Sequence, residues 1–152
     1  MLDRKDLKSD TEPMQNVFVI HTDGGARGNP GPAGIGVVIE KNGTLYAEFG
    51  EAIGETTNNV AEYTAVIKAL QYLQSKGEPV DQIEFILDSL LVVNQLMGEF
   101  KIKDAKLQTL AGQVKSLETI LCGKVIYRAV RREFNKRADF FVNQALDTLL
   151  YK

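Results

Sequence analysis

Asn42-Gly43 is the most constraining pair in the chain, because it separates two runs that read as strands, GIGVVIEK (34–41) and TLYAEFGEAI (44–53). Asparagine followed by glycine supplies the two positive φ angles of a tight two-residue turn, which joins adjacent antiparallel strands. The run NVFVIHTD (16–23), β-branched and aromatic, places another strand before them. Between that run and the hairpin lies GGARGNPGPAG, whose glycines and prolines predict a loop, with Asp23 closing the first strand. Three consecutive antiparallel strands are therefore expected.

After the hairpin the period changes from two to 3.6. From Asn59 to about Gln74, Tyr63, Val66, Ile67, Leu70 and Leu73 form one helical stripe, and Gly77 stops it. QIEFILD (82–88) is almost continuously apolar, which predicts a strand buried on both faces and central in its sheet. SLLVVNQLMG (89–98) reads as a short helix. The segment Asp104 to Leu121 is the clearest amphipathic helix, with Leu107, Leu110, Ala111, Val114, Leu117 and Leu121 on one stripe. KVIYRAV (124–130) is a strand and RREF a loop. A last helix begins near Asn135, with Ala138, Val142, Ala145 and Leu149 facing inward. The order βββαβααβα predicts an α/β protein: one mixed five-stranded sheet, its first three strands antiparallel, with helices packed on it.

A chain of 152 residues, 44% hydrophobic and 25% charged, suits one domain with a substantial core. That domain is expected over residues 14–152, behind a flexible tail over residues 1–13. Cys122 is the single cysteine, which excludes an intramolecular disulfide and a cysteine cluster for zinc. The apolar run of a signal peptide or membrane helix is missing, so the expectation is a cytoplasmic protein with no membrane partner. The net charge of −2 carries no global footprint of nucleic-acid binding. Locally, however, Arg128, Arg131, Arg132, Lys136 and Arg137 crowd into ten residues, and Lys101, Lys103 and Lys106 form a smaller cluster. Such clusters are either solvated faces or contacts for a polyanion. No exposed stripe marks a dimer interface, and a monomer is expected.

Four carboxylates stand at or near element ends: Asp23, Glu62, Asp88 and Asp139. Singly, each has a structural explanation as a turn residue, an exposed helix acid, a helix cap or a first-turn acid. As a set they invite another. Asp23 and Asp88 both follow apolar strands and meet at one sheet edge if those strands are neighbours. Glu62 shares its helix side with Val66 and Leu70, so it should point inward. An inward carboxylate needs a partner, and no cation of the sequence offers itself. Hard divalent cations take carboxylate oxygens, and two of them about 3.5–4 Å apart can clamp both oxygens of a phosphoryl displacement.

Four blocks then carry a family resemblance: TDGGARGNPGPAG (22–34), TTNNVAEYTAV (56–66), LDSLLVVNQL (87–96) and NKRADFFVNQAL (135–146). In composition and order they resemble the motif blocks of type 1 ribonucleases H, over residues 16 to 150. The resemblance implies a ribonuclease H-like fold. It implies an endonuclease hydrolysing the RNA strand of RNA–DNA hybrids by a two-metal mechanism, with 5′-phosphate and 3′-hydroxyl products. Asp23, Glu62, Asp88 and Asp139 would be both the catalytic and the metal-binding carboxylates, with two Mg²⁺ ions, or Mn²⁺, as cofactor.

In similar enzymes Asn58 and Asn59 contact the hybrid in its minor groove and Thr57 helps hold a DNA phosphate. Asn58 is also a natural helix cap, and the two roles are compatible. Gly24 and Gly25, with Arg27 and Asn29, are expected to approach the RNA minor groove and its 2′-hydroxyls, which distinguish RNA from DNA. Arg131, Arg132 and Arg137 are further expected contacts. His21, the only histidine, lies two residues before Asp23 and reads as a packed strand residue.

Two features depart from the family pattern. The loop RREFNKR carries no histidine where many members have one, and Arg131 or Arg132 is expected to assist instead. There is no tryptophan, and GEFKIKDAK is too short for the basic protrusion that some relatives use to grip DNA, so the chain reads as a short form. Two competing readings remain: a catalytically inactive hybrid-binding module, and a nuclease that also acts on double-stranded RNA.

Overall fold

A computed structural model describes residues 15–149. The tail expected over 1–13, and the expected domain's outermost residues, lie outside the described residues. In chain order the elements are β1 (Val17–Ala26), β2 (Gly31–Lys41), β3 (Thr44–Thr56), α1 (Asn58–Lys76), β4 (Gln82–Leu87), α2 (Leu90–Leu96), α3 (Ala105–Leu121), β5 (Lys124–Ala129), a 3₁₀ turn (Arg132–Phe134) and α4 (Lys136–Leu149). The order read from the sequence holds.

The strands form one five-stranded sheet in the order β3-β2-β1-β4-β5. β1–β2 and β2–β3 are antiparallel, whereas β1–β4 and β4–β5 are parallel, as strands joined through helices must often be. β4 is paired on both sides, although the middle position belongs to β1. At the hairpin, Asn42 and Gly43 have φ of 51° and 83°. The Asn42 side chain also accepts from the Val17 N–H at 2.9 Å, fastening the turn to the start of β1.

One expectation fails at the glycines after Asp23. β1 continues to Ala26, with Gly24 opposite Ile35 and Gly25 opposite Gly34, so the loop is only residues 27–30. Gly24 is there for close approach: a methyl group on it would overlap the backbone of Ala61 and Glu62 in α1.

The two faces of the sheet are covered differently. On one, α1, α2 and α3 bury a large cluster that includes Phe18, Ile35, Val37, Tyr63, Leu70, Phe85, Leu96 and Val114. Each such side chain contributes about 1.5–3 kcal/mol of transfer free energy, so this face supplies most of the folding drive. On the other face α4 covers a small cluster of Val38, Ala138 and Phe141. Here the helix rests on backbone. Gly36 of β2 and Gly50 of β3 are register partners, and a methyl group on them would overlap the carbonyl oxygens of Ala138 and Phe141 respectively. Seating Phe141 on Gly50 sets the phase of α4. Its buried stripe is Ala138, Phe141, Val142 and Leu146. The expected Ala145 is half-buried and Leu149 exposed, because the glycine seat rather than the apolar count orients the helix.

Candidate active site

The last parallel pair between β1 and β4 is His21 with Ile86. Asp23 and Asp88 each lie two residues further on, so they emerge side by side at the same end of adjacent strands. Glu62 arrives from α1, which drops onto Gly24. The Gly24 N–H, in turn, donates to Glu62 Oε1 at 3.4 Å. The cap of α1 is Thr57, whose side chain accepts from the Val60 N–H. Asn58, considered for that role, is already helical, and its Oδ1 instead accepts from the Ala26 N–H at 2.8 Å. Ser89 caps α2 directly after Asp88.

Asp139 comes from the first turn of α4. Its N–H donates to the Asn135 carbonyl at 3.2 Å, and Asn143, one turn later, donates through Nδ2 to Asp139 Oδ2 at 3.3 Å. All four carboxylates line one cavity of about 430 Å³, together with Gly24, Gly25, Arg27, Asn58, Asn59, Ser89, Arg132 and Asn143. Within it, Asp23, Glu62 and Asp88 present oxygens that lie within 4.8 Å of one another. Asp139 borders this trio without joining it.

The trio is crowded and largely buried. Asp23 and Glu62 are each 6% exposed, and the Asp88 side chain 8%. Glu62 Oε2 and Asp88 Oδ2 are buried with no hydrogen-bond partner. The nearest cation, Arg132, stands 4.0 Å from Asp88 Oδ2 on a side chain 85% exposed, too long for a hydrogen bond and screened by water. Burial, then the neighbouring Asp88 and Asp139 carboxyls, pushes the Asp23 carboxyl up to about 8. Burial and then the charges of Asp23 and Asp88 hold Glu62 well above the usual carboxylate range. Burial raises Asp88 too, with Arg132 opposing. Three carboxylate donors, two of them with a buried oxygen that has no hydrogen-bond partner, fit a divalent cation, which would remove this repulsion.

The remaining expected contacts separate into two groups. Gly24, Gly25, Arg27, Asn58, Asn59 and Arg132 line the cavity, with Arg27 held by Asp147 at 2.6 Å. Asn29 accepts from the Asn58 N–H at 3.0 Å and so shapes the rim. Arg131 is turned to Glu133, and Arg137 is bound by both carboxylate oxygens of Glu48. His21 does not line the cavity, and burial lowers its pKa, as for a packed strand histidine.

Two residues escaped the sequence reading. Asn135, 1% exposed, donates through Nδ2 to the Thr22 carbonyl at 2.8 Å and ties α4 to β1 beneath the site. Asn143 orients Asp139. The first was legible as a polar residue just before a helix, the second as an i+4 neighbour of an acid.

The model of the family described as reverse transcriptase-like matches residues 21–145. Ribonuclease HI of Halobacterium salinarum is 42% identical over 126 residues, covering 82% of this chain and 62% of that protein. A bifunctional protein of Mycobacterium tuberculosis is 40% identical over 131 residues, 85% of this chain. The chain spans only 35% of the mycobacterial relative's length. Among solved structures, LC11-RNase H1 in complex with RNA/DNA hybrid superposes with a TM-score of 0.83 at 43% identity, covering 88% of this chain and 99% of that one. RNase H1 from Halobacterium salinarum gives a TM-score of 0.81 at 39% identity, covering 87% and 98%. With one sheet topology, one family model and near-complete coverage of these enzymes, the chain belongs to the type 1 ribonuclease H family.

Proposed function

We propose that the chain is a metal-dependent endonuclease that hydrolyses the RNA strand of RNA–DNA hybrids, leaving 5′-phosphate and 3′-hydroxyl ends. The observation that carries this reading is the trio Asp23, Glu62 and Asp88, whose oxygens lie within 4.8 Å of one another and, among the described residues, meet only the exposed Arg132, 4.0 Å from Asp88. Its solved relative LC11-RNase H1 is seen with an RNA/DNA hybrid. Bound divalent ions, two Mg²⁺ or alternatively Mn²⁺, would supply Lewis-acid charge at the phosphate and lower the pKa of water.

The chain's own residues do the rest. Asp23 and Asp88, fixed by adjacent strands, would be the central ligands, Glu62 would serve one ion and Asp139 the other. Asn143 holds the Asp139 carboxylate in place. The backbone at Gly24 and Gly25, with Asn58 and Asn59 opposite, forms a wall without bulky side chains, suited to reading 2′-hydroxyls in a minor groove. Arg27 and Asn29 shape that wall, Thr57 would help hold a DNA phosphate, and Arg131, Arg132 and Arg137 would add positive charge around it. In place of a loop histidine, Arg132 stands nearest Asp88. The proposed enzyme works as a cytoplasmic monomer; among the described residues no helix is long and apolar enough to cross a membrane.

End-labelled RNA–DNA hybrid, RNA duplex, DNA duplex and single-stranded RNA, incubated with Mg²⁺, Mn²⁺ or EDTA, test the reading. Metal-dependent cleavage confined to the RNA of the hybrid, lost in Asp88→Asn, is the expected result. Hybrid binding without cleavage under either metal would replace it with the binding-module reading, and cleavage of RNA duplex would widen the substrate.

A further inference from the structure

Across Asp139 from the catalytic cavity lies a second groove of about 700 Å³, lined by Arg132, Glu133, Lys136, Asp139, Phe140 and Asn143. Three of these residues, Arg132, Asp139 and Asn143, also line the catalytic cavity, so the two are continuous. The floor is aromatic. Phe140 is 46% exposed, yet its ring is held, with the Arg137 guanidinium 4.9 Å from its centroid and Phe141 edge-on at 5.2 Å. The rim carries Arg132 and Lys136, and its acid Glu133 is turned toward Arg131 at 3.9 Å. Phe134, also exposed, sits on the 3₁₀ turn that supplies Arg132 and Glu133.

A fixed, exposed phenyl ring flanked by cations is what single-stranded nucleic acid recognises, through base stacking and phosphate pairing. A base-paired duplex offers this ring little, because its base faces are already stacked. The strand that reaches the groove must be the one whose phosphate lies at Asp139, which is the strand being cut. On the reading proposed above, and resting on it, we infer that this groove binds an unpaired RNA flank, where the RNA strand of a hybrid runs on as a single strand. Lys136 and Arg132 pair with its phosphates and Phe140 stacks on a base. The enzyme thereby prefers hybrid junctions bearing an RNA tail over blunt hybrids.

The test compares a blunt hybrid with hybrids carrying a tail of about six nucleotides. The tail is RNA at the 3′ or the 5′ end of the RNA strand, or DNA on the DNA strand. Steady-state cleavage and fluorescence anisotropy are measured for the wild type, Phe140→Ala and Phe140→Trp. An RNA tail at one of the two ends should lower KM about tenfold. Phe140→Ala should erase that difference while blunt-hybrid kcat/KM stays within about twofold, and Phe140→Trp should keep it. Equal KM for tailed and blunt substrates, an equal gain from a DNA tail, or an equal loss on all substrates in Phe140→Ala would each overturn the groove assignment. If no substrate is cleaved, yet anisotropy still shows the Phe140-dependent gain from an RNA tail, the groove stands and the enzymatic reading falls.

Discussion

The two faces of the sheet hold their helices by different physical means, and those helices bring Glu62 and Asp139 to the site from opposite faces. Asp23 and Glu62 lie on elements anchored in the large apolar cluster, Asp88 directly follows one, and their oxygens lie within 4.8 Å of one another. Asp139 rides on α4, which rests on glycine backbone over a cluster of three residues. A site built this way has a rigid part and a part whose position depends on close approach. The first tolerates like charges in contact because the core holds them there. The second can place a ligand only while its seat stays free of side chains.

The strongest way to break this comparison is to neutralise one carboxylate from each side. Asp88→Asn should reduce hybrid cleavage by on the order of 10³-fold or more, by removing a central ligand. Asp139→Asn should cost less, because it leaves the trio whole. Equal losses in the two variants, measured as kcat/KM with saturating Mg²⁺, would mean that the difference between the trio and Asp139 has no chemical meaning.

The seat can be tested directly. Gly36→Ala places a methyl group against the Ala138 carbonyl, and α4 must lift. Urea denaturation should show a loss of about 1–3 kcal/mol, with cleavage falling further than stability predicts, because Asp139 moves with the helix. Gly112→Ala, in α3 on the opposite face, meets nothing within 4 Å and should stabilise by about 0.5–1 kcal/mol. A neutral Gly36→Ala would show that α4 is not seated on backbone.

The repulsion within the rigid part should appear as a pH effect on the metal-free protein. Asp23 titrates at about 8 in the fold against an ordinary 3.8, so between those values the folded state binds more protons than the unfolded one. Stability therefore falls as pH rises through this window, and Glu62 and Asp88, also raised, act in the same direction. Thermal melts in EDTA should move down from pH 4 to pH 8, and Mg²⁺ at pH 8 should restore the melting temperature. A melt in EDTA that is flat over this range would contradict the crowding of the trio.

The smallest expected loss of stability is at the cap of α1. Thr57→Ala should cost about 1 kcal/mol in urea denaturation, and Asn58→Ala less at that end, since Thr57 and not Asn58 holds the Val60 N–H.

Much of the site was readable before the fold was known. Glu62 was placed inward by its i+4 and i+8 relation to Val66 and Leu70, and it is buried. Asp23 and Asp88 were placed together on the condition that their strands be neighbours, and β1 and β4 are. Gly24 and Gly25 were misread as a loop because a glycine looks the same in sequence whether it serves a turn or the approach of a distant helix. In α4, Ala138 and Val142 face inward as expected, but the far end of the stripe was misplaced for a related reason: counting apolar residues gives a period, whereas Gly36 and Gly50 set the phase.

By itself the sequence determined the order of elements, the hairpin at Asn42-Gly43 and the four acids, because periodicity and turn chemistry are encoded between residues a few positions apart. Only the tertiary structure decided that the four acids line one cavity with three of them within 4.8 Å of one another, that Asn135 ties α4 to Thr22, and that an aromatic groove continues past Asp139. The first two arrangements join residues far apart in the chain. Their physical basis is the fit of one backbone against another, which no local pattern records.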